Sequence, residues 1–151
     1  MTIKRTLIAM AVVAAFAQAA QADINIGVVT SITGPAATLG TDIKRAVALM
    51  PATIGNEKVN YIVLDDATDP TTAVRNTRKL ISENKVDAII GPNTNPNAAG
   101  MTSVVDETKT PLVLITPYPP PEDKRRWVFQ STQGAGLMIQ RVVEDMAENK
   151  V

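Results

Sequence analysis

Short apolar runs alternate with amphipathic stretches along most of this chain. The runs are three to six residues long and rich in Val, Ile and Leu, which is typical of strands buried on both faces of a sheet. They predict five strands, at residues 24–29, 61–64, 88–91, 112–115 and 127–129.

Between the strands, apolar residues recur every three or four positions and predict helices over residues 41–50, 70–81, 95–108 and 136–149. Asp69-Pro70 and Asn95-Pro96 each place a side-chain acceptor at an N-cap and a proline at the first helical position, which favours a helix start. The last helix carries Ile139, Val143 and Met146 on one face, and we expect this face to be exposed or to pair with a second copy.

Four βα units in series predict an α/β fold, a doubly wound parallel sheet with right-handed crossovers. Ligands of such sheets bind beyond the carboxyl ends of the strands, where this chain has the loops 30–40, 91–97 and 116–121. If Asn95 is an N-cap, the amides of Asn97 and Ala98 are available to a carboxylate. The alternative is that Asn95 only caps its own helix.

The N-terminus has the layout of a secretory signal peptide. Lys4 and Arg5 precede an uncharged apolar run at 7–17, and Ala20-Gln21-Ala22 has the small-x-small pattern of a cleavage site. The run is shorter than the ~20 residues of a membrane-spanning helix. We therefore expect residues 1–22 to be removed, with no direct membrane insertion afterwards; the alternative is an uncleaved anchor.

Composition narrows the chemistry. The 151 residues include no Cys and no His, which excludes disulfides, a thiolate nucleophile, a Ser-His-Asp triad and imidazole metal ligands. Fifteen basic and fifteen acidic residues give a net charge of zero, which argues against a nucleic-acid partner.

Motifs of catalysis are also missing. The glycines after the first strand have neither P-loop nor dinucleotide-binding spacing, and no Ser or Lys has an evident base partner. Asp65-Asp66 suggests either a metal or phospho-acceptor pair, or turn and cap bonds together with Asp69. Adjacent residues leaving a strand point to different sides, which favours the second interpretation. We predict no catalytic residue, no metal and no cofactor.

Several segments resemble the type I periplasmic solute-binding proteins of the Leu/Ile/Val-binding family. The similarity is carried in order by Ile26-Gly27-Val28, Thr33-Gly34-Pro35-Ala36, the D-D-x-x-D-P element at 65–70, Val86-Asp87-Ala88-Ile89-Ile90-Gly91, and Ile115-Thr116-Pro117. The resemblance implies a periplasmic binding component of an ABC importer, with a flavodoxin-like strand order in each lobe. It implies two partners, a small-molecule ligand held between two lobes and a membrane permease.

The same resemblance implies a set of ligand-binding residues. The loops after the third and fourth strands hold the ligand's carboxylate in this family, and a side chain of the first loop forms a pocket wall. The corresponding residues here are Leu39, Thr94, Asn95, Thr116, Tyr118 and Pro119.

Departures from the family pattern bear on the ligand. Amino-acid binders of the family usually carry Ser at the position of Asn95, Thr or Ser near Pro121, and often Asp near Ala135. Proline donates no hydrogen bond, and alanine offers no carboxylate to an ammonium group. With Tyr118 beside three prolines, we hypothesise an aromatic or other apolar carboxylate rather than an α-amino acid.

The resemblance further implies that the second lobe is largely missing. We expect a signal peptide at 1–22, the N-terminal part of the first lobe at 23–133, and a crossover with the first helix of a truncated second lobe at 134–151. Such a fragment is predicted to bind ligand weakly or not at all. Two alternatives remain for function: a ligand-sensing regulatory module of the same fold, and a doubly wound hydrolase or transferase that uses Asp65 or Asp66.

Overall fold

Six strands and four α-helices alternate in the computed structural model, which describes residues 23–149. The strands are β1 Ile24–Thr30, β2 Thr53–Ile54, β3 Glu57–Asp65, β4 Ala88–Ile90, β5 Leu112–Leu114 and β6 Val128–Gln130. The helices are α1 Ala37–Val47, α2 Pro70–Ser82, α3 Asn95–Thr108 and α4 Ala135–Asn149, and a 3₁₀ helix covers Glu122–Trp127.

The strands form one sheet in the order β2-β3-β1-β4-β5-β6. All neighbours are parallel except β2, which forms a hairpin with β3. The predicted doubly wound sheet with flavodoxin-like strand order is thereby confirmed. The order of strands reverses its direction between β1 and β4, and sheets of this type bind ligands in a crevice at such a point.

The core lies between the sheet and the α2–α3 pair. Val29, Leu80, Ile89 and Met101 are fully buried there. A Cβ on Gly27 would lie 2.7 Å from Cδ1 of Leu80, so the bare backbone of β1 makes room for this leucine. Tight packing of α2 on the central strand β1 therefore holds this strand in place, together with the loop that follows it.

Helix α1 starts earlier than the sequence pattern predicts, at Ala37 rather than at residue 41, and it ends at Val47 rather than at residue 50. Gly40 lies inside the helix. Only glycine fits at this position, since a Cβ would approach the carbonyl oxygen of Ser31 to 1.9 Å. The glycine thus marks a close contact between helix and loop, and not the end of the loop.

Two other elements differ from the prediction. The hairpin of β2 with β3 was missed, and β3 begins at Glu57 rather than at residue 61, because these edge residues are mostly polar and exposed. Residue 127, predicted as strand, ends the 3₁₀ helix. The short apolar runs therefore marked only the buried part of the sheet.

Helix α4 has no buried residue. Ile139, Val143 and Met146 are exposed, as the sequence predicts. The division into a first lobe at 23–133 and a crossover at 134–151 stays a prediction, and the signal peptide lies outside the described residues. Within 23–149, no helix has the length and apolar character needed to cross a bilayer.

Replacing Leu80 by Ala tests the packing of α2 on β1. We expect the free energy of unfolding to fall by about 2–5 kcal/mol, because the truncation leaves a cavity against Gly27. Urea denaturation measures the change. Leu49→Ala is the matched control: Leu49 is 88% exposed, and its removal is expected to change stability by no more than about 0.5 kcal/mol. Equal effects of the two variants would contradict the packing described here.

Candidate ligand-binding site

The ends of β1 and β4 are tied together across the crevice by Asn93. Its Oδ1 accepts hydrogen bonds from the amide of Ser31 at 2.9 Å and from Oγ1 of Thr30 at 3.2 Å. Thr30 and Ser31 are fully buried. These hydrogen bonds within the protein close the floor of the crevice, so only the loops above it are open to a ligand.

The loop after β1 is held by the carboxylate of Asp65, at the end of β3. Its Oδ1 accepts from the amides of Ile32 at 2.8 Å, Thr33 at 3.1 Å and Ala67 at 2.9 Å. Its Oδ2 accepts from the hydroxyl of Thr33 at 2.6 Å. One side chain thus fixes the conformation of two loops.

These contacts change the acidity of Asp65. Desolvation raises its pKa, but the hydrogen bonds from the Thr33 hydroxyl and from the amides of Ala67, Thr33 and Ile32 together lower the pKa below its ordinary value. The carboxylate is therefore ionised at neutral pH.

The other acidic residues of the D-D-x-x-D-P element also make turn and cap bonds, as the second interpretation predicts. Oδ1 of Asp66 accepts from the Ser31 hydroxyl at 2.6 Å and from the amide of Thr68 at 2.9 Å. Oδ1 of Asp69 accepts from the amide of Thr72 at 2.6 Å and caps α2. The three carboxylates thus serve the loops around the crevice.

Asn95 has a different role from the predicted one. The N-cap of α3 is Thr94, and Asn95 is the first residue of the helix, so the prediction of an Asn95 cap is wrong. The amide of Ala98, expected to be available, donates to the carbonyl oxygen of Thr94. The side chain of Asn95 is turned away because its Oδ1 accepts from Oγ1 of Thr116 at 2.6 Å.

The Asn95–Thr116 bond joins the loops after β4 and β5. Thr116 is 5% exposed, whereas Asn95 is exposed. The bond orients the amide of Asn95, and its Nδ2 makes no hydrogen bond within residues 23–149. A buried hydroxyl without a partner, Oγ1 of Thr94, precedes it. Two polar groups with spare donors thus lie side by side at the start of α3.

The remaining predicted site residues occupy separate positions. Leu39 lies in the first turn of α1 and not in the loop before it, and it is 59% exposed. Tyr118 is partly buried and packs against the core. Pro119 lines a groove of about 330 Å³ together with Pro120, Arg125, Val128 and Gln130.

Sequence reasoning missed Asn93, and it predicted turn bonds for Asp65 without showing which loop this side chain holds. Asn93 crosses the crevice, and Asp65 holds the loop after β1. Their position directly after buried strands was the available signal, since the carboxyl ends of neighbouring parallel strands meet at one edge.

Comparisons with known proteins agree with this architecture. A sequence model described as "Periplasmic binding protein" matches residues 23–151. The chain belongs to this family, as a type I member of the Leu/Ile/Val-binding branch. Its family resemblance, inferred from the sequence motifs, is thereby confirmed.

Relatives and solved structures extend this assignment. Leu/Ile/Val-binding protein BraC3 of Rhizobium johnstonii is 30% identical over 100% of this chain and 44% of its own length. An extracellular ligand-binding receptor from Rhodopseudomonas palustris is 36% identical, with a TM-score of 0.78 over 86% of this chain and 37% of that one. A solute-binding protein from R. palustris in complex with benzoate shares the fold at 22% identity, with a TM-score of 0.71 over 86% of this chain and 38% of that one. The chain therefore spans less than half the length of these proteins.

Replacing Asp65 by Asn tests its hold on the loops. At pH 7 we expect a loss of about 1–2 kcal/mol in the free energy of unfolding, since charged hydrogen bonds are lost but partial exposure screens them. Because the folded-state pKa is lowered, the contribution is present above the ordinary pKa and disappears as the pH falls through the folded value.

The measurement is urea denaturation of the wild-type and Asp65→Asn proteins from pH 7 down to pH 2. The difference in their free energies of unfolding is expected to disappear in acid. Asp42→Asn, which removes an exposed partner of Arg45, is the control and is expected to change little. A gap between wild type and Asp65→Asn that stays constant with pH would contradict the role of the ionised carboxylate.

Proposed function

We propose that this chain provides the carboxylate-binding lobe of a solute-binding protein that serves an ABC-type importer. The observation that carries the proposal is the Thr116–Asn95 hydrogen bond, which orients an exposed amide beside the start of α3. The amide nitrogen and the nearby backbone amides favour an anion without any cationic side chain. The ligand-binding residues are Leu39, Thr94, Asn95, Thr116, Tyr118 and Pro119.

The recognition step follows from the donors. Nδ2 of Asn95 supplies a neutral donor to a carboxylate, and the positive end of the α3 dipole adds a favourable potential. Neutral donors hold an anion reversibly, which suits a protein that must release its solute to a permease. No bond of the solute is made or broken, so the chain acts as a binder and not as an enzyme.

The walls of the site favour an apolar or aromatic acid. Leu39 exposes an apolar side chain at the crevice, and Pro119 and Pro121 offer no N–H to a polar ligand. No acidic side chain stands at Ala135 to neutralise an α-ammonium group. Benzoate is therefore the better probe, and leucine is the appropriate comparison. One structure of this fold holds benzoate, and a curated relative is named a Leu/Ile/Val-binding protein.

The site on this chain is one half of a cleft. Ligand pockets usually bury ~70–90% of a small ligand, and a single lobe leaves one face of the solute in water. We accordingly propose that tight binding requires a second lobe and that residues 23–149 alone bind weakly. Closure of the two lobes would then present the loaded protein to the membrane permease.

A titration followed by ¹⁵N–¹H NMR spectroscopy tests the ligand and the residues together. Benzoate is expected to shift the signals of Thr94, Asn95, Thr116 and Tyr118 at millimolar concentration, and leucine to shift them less. Thr116→Val is expected to weaken these changes because it removes the bond that orients Asn95. Thr110→Val, which changes an equally buried hydroxyl away from this edge, is the control.

Two outcomes of the titration count against the proposal. Larger shifts with leucine than with benzoate would exclude the apolar acid in favour of an α-amino acid. Shifts confined to residues far from the loops after β4 and β5 would exclude the carboxylate site.

We also propose that the protein is exported to the periplasm and that its leader is cleaved after Ala22. Expression in a Gram-negative bacterium, followed by N-terminal sequencing of the periplasmic fraction, is expected to return a chain that begins at Asp23. Ala20→Lys is expected to block processing, because the cleavage site requires small side chains. Ala17→Val, which keeps the apolar run apolar, is the matched control; retention of Met1 on exported protein would contradict cleavage.

A further inference from the structure

Buried polar atoms without partners are concentrated at one place in this fold. Within residues 23–149, six buried side-chain atoms have no hydrogen-bond partner, and five of them belong to Asp66, Asn93, Thr94 and Asn97. These residues follow β3 and β4 or open α3, so they lie at the carboxyl edge of the sheet, around the end of β1. Such a concentration is unlike the scattered exceptions that folded proteins tolerate.

The side chains of Asp66 and Asn93 flank Ser31, and each is anchored by one atom only. Oδ1 of Asp66 accepts from the hydroxyl of Ser31 at 2.6 Å, and Oδ1 of Asn93 accepts from its amide at 2.9 Å. The atoms left over have opposite character: Oδ2 of Asp66 is a carboxyl oxygen that can accept, and Nδ2 of Asn93 is a donor. They do not bond to each other, although both are buried beside the same residue.

Thr94 and Asn97 also have buried polar atoms without a hydrogen-bond partner. They stand at the N-cap and third helical positions, the spacing of a capping box in which each side chain bonds the other's backbone amide. Neither bond is made here: the Thr94 hydroxyl and both polar atoms of the Asn97 amide have no partner. Asn97 and Asp66 are 0% exposed, so bulk solvent does not reach them.

We propose that at least one internal water molecule occupies this edge, beneath the loop that carries Thr94 and Asn95. Water has two donors and two acceptor lone pairs, which match the acceptors Asp66 Oδ2 and Asn97 Oδ1 and the donors Asn93 Nδ2 and Asn97 Nδ2. Leaving these groups unpaired would cost their full desolvation, whereas buried water typically makes two to four such bonds.

Other occupants fit this edge less well. A solute of the size of an amino acid cannot reach side chains that are fully buried. A metal ion is disfavoured because no group of three or more potential acidic ligands exists among the described residues. The proposed water site is independent of the ligand proposed above, and it stabilises the base of the ligand loop whatever solute that loop binds.

A crystal structure of the full chain at high resolution provides the direct test. We expect a well-ordered water within hydrogen-bond distance of at least two of the atoms Asp66 Oδ2, Asn93 Nδ2 and Asn97 Nδ2 or Oδ1. Nuclear Overhauser effects between long-lived water and the Asn97 side-chain amide are expected in solution. Density with no water near these atoms would overturn the proposal.

Asn97→Leu provides an independent test through the sign of its effect. If a water pairs with the side-chain amide of Asn97, leucine removes that hydrogen bond and leaves the water or its other partners unpaired. The urea midpoint then falls. If the amide is truly unpaired, the same change removes a buried polar group without a partner, and the midpoint rises. A rise would overturn the proposal.

Thr102→Val is the matched control on the same helix. Thr102 is also buried, but its hydroxyl donates within the helix to the carbonyl oxygen of Ala98 at 2.7 Å. Its replacement strands no partner outside α3, so we expect a smaller fall in midpoint than for Asn97→Leu. If Asn97→Leu fails to fold, the water density of the wild-type chain decides the question alone.

Discussion

The carboxylate of Asp65 receives four hydrogen bonds from three residues, and the geometry of the ligand edge depends on it. Three of these bonds come from Ile32 and Thr33, in the loop after β1. The same loop is also held at Ser31, by Asn93 and Asp66. Backbone pairing between β1 and β3 stops where the strands end. Beyond that point, the carboxylate of Asp65 accepts from the backbone amides that follow β1.

The same logic recurs at the other loops of this edge. Asn93 joins the ends of β1 and β4, and Asn95 with Thr116 joins the loops after β4 and β5. Each bond links segments that emerge from adjacent strands, so side-chain hydrogen bonds fix the spacing of these loops. Pre-organisation of this kind reduces the entropy lost when a small solute binds.

The apolar residues of this chain fall into a buried core and an exposed helix face. The sheet and the α2–α3 pair enclose a continuous core, whereas α4 exposes Leu137, Ile139, Val142 and Val143. Exposed apolar patches of this type mark interaction surfaces. The second lobe of our proposal would cover this face of the helix and would also complete the ligand cleft.

Sequence alone determined the order of the five parallel strands and four α-helices and the cap of Asp69 on α2, and it indicated the edge proposed for a ligand. These depend on local periodicity, on the N-cap preference of Asp and on the topology that βα units impose. Tertiary structure decided the rest. Asn95 pairs with Thr116 instead of capping α3, and Asn93 meets Ser31, which is 62 residues away in the sequence. The edge strand β2 and the first residues of β3 escaped prediction because exposed strand residues need no apolar run. A hydrogen bond between distant loops leaves no periodic trace in a sequence, since its partners meet only after the sheet has brought its strand ends together.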